Sequence, residues 1–343
     1  MAMTSFASDN YAPVHPLVLE KLSEVNKDHV KAYGADEITA HAIALIKETL
    51  QDANCEVNFV FNGTGANVTG LQTVMDSWNT VICASTAHIN VDEGGAPERL
   101  LGIKLLDVAT KDGKLTPELI ESLWIRIGDQ HTSQPNVVSI TQSTEMGTVY
   151  TPSEIKALAD IAHKYNSFLH LDGARISNAA ASLGVSIADL TSKAGVDIFS
   201  FGGTKNGLMG AEAVVFFKSE LNKKYPWIRK SSMQLASKHR YISAQFIALL
   251  TDDLWKKNAE NANSMAKLLR TKIENNPKIK LTQNTQSNAV FAILDPKHTT
   301  ELQKKHNFYV WNDNTGEVRL MCSWDTTTQD VENFAADINS VCK

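Results

Sequence analysis

Three short stretches hold residues that could do chemistry together. In "DIFSFGGTKNGLMG" (197–210) a lysine, Lys205, follows an apolar run and sits among Gly202, Gly203, Gly207 and Gly210. On an exposed loop it would be one more solvated charge. In a partly desolvated pocket a lysine releases its proton more readily and becomes a nucleophile toward a carbonyl carbon. In "FLHLDGARISNAA" (168–180) Asp172 closes another apolar run, at the edge where α/β sheets bind ligands. A carboxylate there needs a cation or hydrogen-bond donors, and a purely structural pair with Arg175 is one way to supply them. In "FNGTGANVTG" (61–70) a strand ends at Asn62-Gly63-Thr64-Gly65 and a helix begins. Backbone N–H groups at a helix start can cradle an anion, although a plain strand-to-helix turn would look similar. His170 alternates with Asp172 but lacks a second ligand pair at suitable spacing, so no metal is expected.

These groups can meet only if their strands end along one edge. The apolar runs "VNFVF" (57–61), "TVICA" (80–84), "VVSIT" (137–141), "FLHLD" (168–172), "DIFSF" (197–201) and "EAVVFF" (212–217) alternate with helix-length segments. That pattern predicts an α/β sheet buried on both faces. "TPSE" (151–154) reads as a capping box that starts a helix, and "TPEL" (116–119) as a second helix start. Beyond about residue 245 the texture changes. One long helix is expected over "AQFIALLTDDLWKKNAENANSMAKLLRTKIENN", then short strands near 279–282, 287–294 and 317–322, and a final helix from about 327. The division expected is a large domain over 1–245 and a small α+β domain over 246–343.

Composition narrows the functional classes. The 343 residues are 43% hydrophobic and 21% charged, with a net charge of −5, so no broad basic face is available for nucleic acid. Cys55, Cys83, Cys322 and Cys342 are scattered, which fits reduced thiols better than a disulfide framework. The N-terminal stretch lacks the basic and apolar regions of a signal peptide, and no apolar run approaches membrane-spanning length. A cytoplasmic protein is expected.

An anion cradle, a carboxylate and a lysine at three strand ends match the needs of pyridoxal phosphate. That cofactor wants its phosphate at a helix N-terminus, an acid against its ring nitrogen and a lysine on its aldehyde. From this point the chain resembles a known family, the L-threonine aldolases. The resemblance runs nearly end to end, through "FASDNYAPVHP", "AYGAD", "GTGANV", "AHINVDEGGAPE", "QSTEMGTVYTP", "HLDGARISNA", "SFGGTKNG", "KHRYISAQ" and "VRLMCSWDTT". "HLDGAR" followed by "GGTKNG" is its most specific part, and the low-specificity and phenylserine-type aldolases are the subgroup resembled.

The resemblance implies an aspartate-aminotransferase-type fold, with a mostly parallel seven-stranded sheet flanked by helices and a smaller C-terminal α+β domain. It also implies roles. Lys205 would bond the cofactor aldehyde and Asp172 would hold the ring nitrogen protonated. Gly63, Thr64, Gly65 and Thr204 would grip the phosphate, and His88 would stack on the ring. Ser8, Arg175 and Arg319 would hold the substrate carboxylate. His131 would lie near the substrate hydroxyl, where His88 or a water is the other candidate base. Arg240, in "SKHR" where the family more often has "GGMR", would reach the phosphate of a neighbouring subunit, which implies a homo-oligomer, a dimer or tetramer. The activity implied is reversible Cα–Cβ cleavage of L-threonine, L-allo-threonine and other β-hydroxy-α-amino acids such as phenylserine, giving glycine and an aldehyde. The same cofactor residues would also serve a β-eliminating lyase or an aminotransferase of small amino acids. A non-catalytic cofactor-binding module is disfavoured, because the lysine and the arginines are all present.

Overall fold

Two sheets of different character organise the computed structural model, which describes residues 4–343. The larger is built from β1 (Glu56–Val60), β2 (Asn79–Ala84), β3 (Lys104–Val108), β4 (Gln134–Thr141), β5 (Phe168–Gly173), β6 (Ile198–Gly202) and β7 (Glu212–Phe216). Their order across the sheet is β1-β7-β6-β5-β4-β2-β3, and only the β7 pairings with β1 and β6 are antiparallel. This is the seven-stranded, mostly parallel sheet expected. The apolar runs lie within one or two residues of where the sequence put them, because strands covered on both faces must be apolar throughout. The sequence missed β3. It is an edge strand with a charge at either end of "KLLDV", and half-exposed edges escape a search for apolar runs.

Capping chemistry behaves unequally. Thr151 accepts from Glu154 N and Glu154 reaches back to Thr151 N, which starts the helix Pro152–Lys164 as read from sequence. Thr116 makes no such bond, and "TPEL" yields one helical turn, Pro117–Ile120, followed by a 3-10 turn.

The long helix expected after residue 244 is two helices, Arg240–Leu250 and Leu254–Ile273. Asp252 and Asp253 between them both have left-handed backbone (φ 52° and 56°), a conformation that short polar side chains tolerate better than most. The first helix packs into the core beneath the large sheet through Phe246 and Leu249. The second packs Ala266, Leu269 and Ile273 into a separate core with the smaller sheet. That sheet runs β10 (Tyr309–Asn312), β11 (Glu317–Met321), β9 (Ala289–Ile293) and β8 (Lys280–Leu281), all antiparallel. β10 was not expected, since only part of "YVWN" is covered. The final helix is Thr328–Val341. Phe6, near the chain start, inserts into this second core against Phe334. No helix among the described residues is long and apolar enough to cross a membrane.

Register lines up the ends of the large sheet. Thr141, Asp172, Ser200 and Val214 are neighbours across β4, β5, β6 and β7, while Glu212 faces Gly202 on one side and Val60 on the other. Gly202 admits no side chain. A Cβ there would lie 2.6 Å from Ala174 Cα and 2.9 Å from the Gly173 carbonyl oxygen, both main-chain atoms. Gly202→Ala is therefore expected to destabilise the fold by about 1–3 kcal/mol, the usual range for overpacking. An unchanged urea midpoint would show that this strand end is slack.

Candidate active site

Two cavities open side by side above the carboxyl ends of the parallel strands. One, of about 370 Å³, lies between Gly63, Thr64, Asp172, Thr204 and Lys205. The other, of about 640 Å³, is walled by Ser8, Glu145, Arg175, Trp311 and Arg319. Asn10, His88 and Lys205 belong to both, so the lysine stands at the junction.

Lys205 rides on the 3-10 turn Thr204–Asn206 just past β6. The turn is tied from behind, where Asn258 donates to the Asn206 carbonyl, Asn206 to the Trp255 carbonyl and His15 N to the Gly207 carbonyl. Burial lowers the lysine's affinity for its proton, and the Arg175 charge adds to this. Asp172, buried at the end of β5, accepts from Asn67 Nδ2 at 2.8 Å and from Ala174 N at 2.9 Å. It makes no pair with Arg175, which sets aside the structural alternative raised above. Arg175 is instead clasped by Asp9, Nε to Oδ2 at 2.7 Å and an Nη to Oδ1 at 2.9 Å. Burial alone would raise the Asp9 carboxyl, but this pair wins and holds it below its usual range.

At the cradle, Gly63 and Thr64 line the smaller cavity while Gly65 does not. The Gly65 N–H goes to Asn62 Oδ1 at 2.7 Å, and a Cβ on Gly65 would fall 2.4 Å from the Gln234 side chain. That glycine exists for Gln234, not for the cavity wall. Thr204 lines the cavity, and its hydroxyl accepts from Ala211 N. Beside it Glu212 accepts from Gly203 N at 3.0 Å, and burial pushes its carboxyl up to about 7.

In the larger cavity Ser8 caps the turn Asp9–Tyr11, its hydroxyl accepting from Asn10 N. Arg319, on β11, is only 9% exposed, with its guanidinium between Tyr309 and Trp311, 5.5 and 4.7 Å from the ring centroids. One Nη donates to the Ala7 carbonyl, but the buried Nε has no partner. Burial, with the Arg175 charge, pulls this guanidinium down to about 10. Two guanidiniums and one neutralising aspartate leave a cavity suited to a carboxylate.

His88 opens the short helix Val91 closes, and its Nδ1 lies 2.9 Å from Glu93 Oε1. That hydrogen bond raises the imidazole's affinity for a proton despite burial. His131, by contrast, is exposed three residues before β4 begins, its N–H on Asp129 Oδ1. Residues that enter a parallel strand lie at the edge opposite those that leave it, about 25 Å away for eight residues. The structure therefore places His131 outside both cavities of its own chain. Arg240 also stays outside both cavities of its own chain, donating to the carbonyls of Lys27 and Asp28.

Four acids of the site escaped the sequence reading: Asp9, Glu93, Glu145 and Glu212. All four sit inside stretches quoted above, and Glu145 follows a strand end, so for it position relative to the strand end was the usable signal. Nothing local marks Glu93, whose Oε1 is shared by His88 and Asn67.

Comparison with known proteins agrees with this geometry. The β-eliminating lyase family model matches residues 5–295. A low specificity L-threonine aldolase of Pseudomonas aeruginosa is 42% identical over 338 residues, 98% of this chain and 97% of that protein. The structure of a Leishmania major threonine aldolase superposes with a TM-score of 0.93 at 29% identity, covering 99% of each chain. A probable N-succinyldiaminopimelate aminotransferase from Thermus thermophilus, 13% identical, shares the fold at a TM-score of 0.76, covering 99% of this chain and 95% of the other.

The Glu212 carboxyl yields a test of these electrostatics. Its folded value of about 7 exceeds the ordinary 4.5, so the native protein holds a proton that the unfolded chain has released. Stability from this group is full below about 4.5 and is lost as pH rises through about 7. Glu212→Gln keeps the acceptor for Gly203 N and removes the titration. The urea midpoint of the variant should fall less between pH 5 and 8 than that of the parent; equal slopes would contradict it.

Proposed function

The chain belongs to the β-eliminating lyase family and, within it, with the low specificity L-threonine aldolases, and from that premise we propose that it cleaves L-threonine and related β-hydroxy-α-amino acids to glycine and an aldehyde with pyridoxal phosphate. The observation that carries the reading is Lys205 at the junction of a cavity ending in a helix N-terminus and a cavity holding two guanidiniums. The residues fit the cofactor. Thr64, Thr204 and the start of the helix Gly63–Gln72 suit a phosphate, Asp172 suits a protonated ring nitrogen, and His88 forms the wall shared with the second cavity. Glu212, whose carboxyl burial pushes up to about 7, carries less negative charge toward a phosphate near neutral pH than an ordinary carboxylate would.

The cofactor, when bound, supplies a sink for the electron pair released at the substrate's Cα. The chain does the rest. Lys205, with its proton loosened by burial, is the amine that takes up and gives back the cofactor's aldehyde. Asp172, fixed by Asn67 and Ala174 N, keeps a proton on the ring nitrogen. Arg319, Arg175 and Ser8 hold the substrate carboxylate and so fix rotation about the N–Cα bond. That torsion selects the Cα–Cβ bond for cleavage, an effect of orientation and not of acid–base strength. A division into two domains belongs to the same reading, but at the break at Asp252 and Asp253 and not at 245/246, which would cut the helix Arg240–Leu250. The two cores bring Lys205 and Arg319 to one cavity.

Self-association completes the reading. Phe61 and Met209 at the mouth of the smaller cavity are exposed, as are Trp227 (72%) and Met233 (82%). A second copy covering this apolar surface would also bring its Arg240 toward the phosphate end.

Product analysis tests the activity. Holoenzyme given L-threonine should yield glycine and acetaldehyde, whereas ammonia and a 2-oxo acid would mean elimination and would overturn the reading. Asp172→Asn should lower kcat by about 100-fold or more, since it removes charge stabilisation at the sink, with the circular dichroism spectrum unchanged. Undiminished turnover would refute the assigned role.

A further inference from the structure

Cleavage by this route needs a group to take the proton of the substrate's β-hydroxyl, and within one chain His131 stands at the opposite edge of the sheet from both cavities. We propose that Glu145 is that group, a catalytic carboxylate in the wall of the substrate cavity. The inference rests on the aldolase reading above and adds to it the identity of the base.

Glu145 leaves the sheet four residues after β4, on the same edge as Asp172, and is 8% exposed. It lines the larger cavity together with Arg175, Lys205 and Arg319. The other buried acids nearby are committed elsewhere. Asp9 is clasped by Arg175, and Glu93 is shared by His88 and Asn67. Glu145 is held by neutral donors, with His88 N at 2.8 Å from Oε1 and the Thr141 hydroxyl as a further partner. Its position is therefore fixed from one side, and no cation pairs with it directly.

The groups facing it are Asp172 from β5, His88 from the neighbouring helix start, Arg175, Cys83 from β2, and Tyr150. Burial raises the carboxyl above its ordinary range, and the charge of Asp172 works in the same direction. A base made stronger in this way takes a hydroxyl proton more readily. His88 is the competing candidate. Its Nδ1 is engaged by Glu93, which raises the ring's affinity for a proton, but the reading above gives its ring the cofactor face as its place.

The step balances within the site. The hydroxyl O–H bond breaks and its proton passes to a Glu145 oxygen. The electron pair left on oxygen forms the C=O bond of the aldehyde. The Cα–Cβ bond breaks, and its pair goes to Cα, where the cofactor is the sink. One proton taken up at Cα completes glycine, and Glu145 returns its own to solvent.

Glu145→Gln tests this, because it keeps the shape and the acceptor for His88 N but cannot take a proton. With holoenzyme and L-threonine, kcat should fall by about 100-fold or more and KM should hold. The acid limb of the kcat–pH profile should vanish. In the same preparation, exchange of the α-proton of glycine with D₂O, followed by NMR, should proceed at the parent rate. It uses Lys205, Asp172 and the carboxylate clamp but no hydroxyl. Glu145→Asp should keep the acid limb at reduced kcat, a rescue that a space-filling role would not give. Equal loss of cleavage and of glycine exchange in Glu145→Gln would reduce Glu145 to a structural role and overturn the proposal, as would an unchanged kcat or loss of the acid limb in Glu145→Asp. If the parent protein exchanges glycine protons yet forms no glycine from threonine, the aldolase reading itself fails, and this inference with it.

Discussion

The two-point ion pair between Arg175 and Asp9 is the interaction on which the site's assembly depends. Arg175 belongs to the turn that leaves β5, and Asp9 to the first described stretch of the chain. That stretch is itself tied to the smaller sheet, with Phe6 N on the Asn307 carbonyl, Met321 N on the Phe6 carbonyl, and Asn288 Nδ2 on Asp9 Oδ2. One pair of charges thus joins the large sheet, the chain start and the second core. Its geometry matters more than its net energy. A buried pair gains little over apolar packing, but losing one partner strands the other charge at a cost of about 3–5 kcal/mol. The pair also decides which charge is free. With Arg175 neutralised, Arg319 is the guanidinium of the cavity without a counterion, and its buried Nε has no hydrogen-bond partner.

A second set of bonds fixes the other face of the site. Asn67 Nδ2 lies 2.8 Å from Asp172 Oδ2 and 2.8 Å from Glu93 Oε1, and Glu93 in turn holds His88 Nδ1. One amide therefore spaces two carboxylates that would otherwise repel, and sets the plane of an imidazole two bonds further on. Asn67 can do this because it rides on the first turns of the buried helix Gly63–Gln72, the helix whose N-terminus faces the smaller cavity. The helix N-terminus, Asp172 and, through Glu93, His88 are thereby set by one rigid element, which is how a site reaches the positional accuracy that orientation effects demand.

What the sequence could reveal follows from what is local. Strands covered on both faces are apolar throughout, so six of seven were visible as runs, and Lys205 and Asp172 were visible as polar residues just past their ends. β3 and β10 were hidden because half-covered edges keep their charges and polar groups. The break at Asp252 and Asp253 was hidden because helix periodicity continues on either side of it. Pairings across the fold were the least legible. Arg175 beside Asp9 and Arg319 between two aromatic rings join residues more than 160 positions apart or on different strands. The place of His131, outside its own chain's cavities, was hidden for a related reason, since a motif gives a residue type but not which edge of the sheet it occupies.

The arrangement of the remaining acids shows why one lysine can serve two cavities. At the helix N-terminal end of the smaller cavity stands Glu212, its carboxyl pushed up to about 7 by burial, so that its charge near neutral pH is reduced. On the substrate side stand Arg175 with its own counterion and Arg319 without one. Lys205, between them, feels Arg175 lowering its proton affinity while Asp9, Asp172 and Glu212 raise it, and burial tips the balance downward. Were Asp9 absent, the unbalanced Arg175 would press the amine further toward neutrality but would also leave a second free cation in the substrate cavity. The aspartate thus leaves the two guanidiniums one net positive charge between them, and Arg319, held in direction between its two aromatic rings, is the one without a counterion of its own.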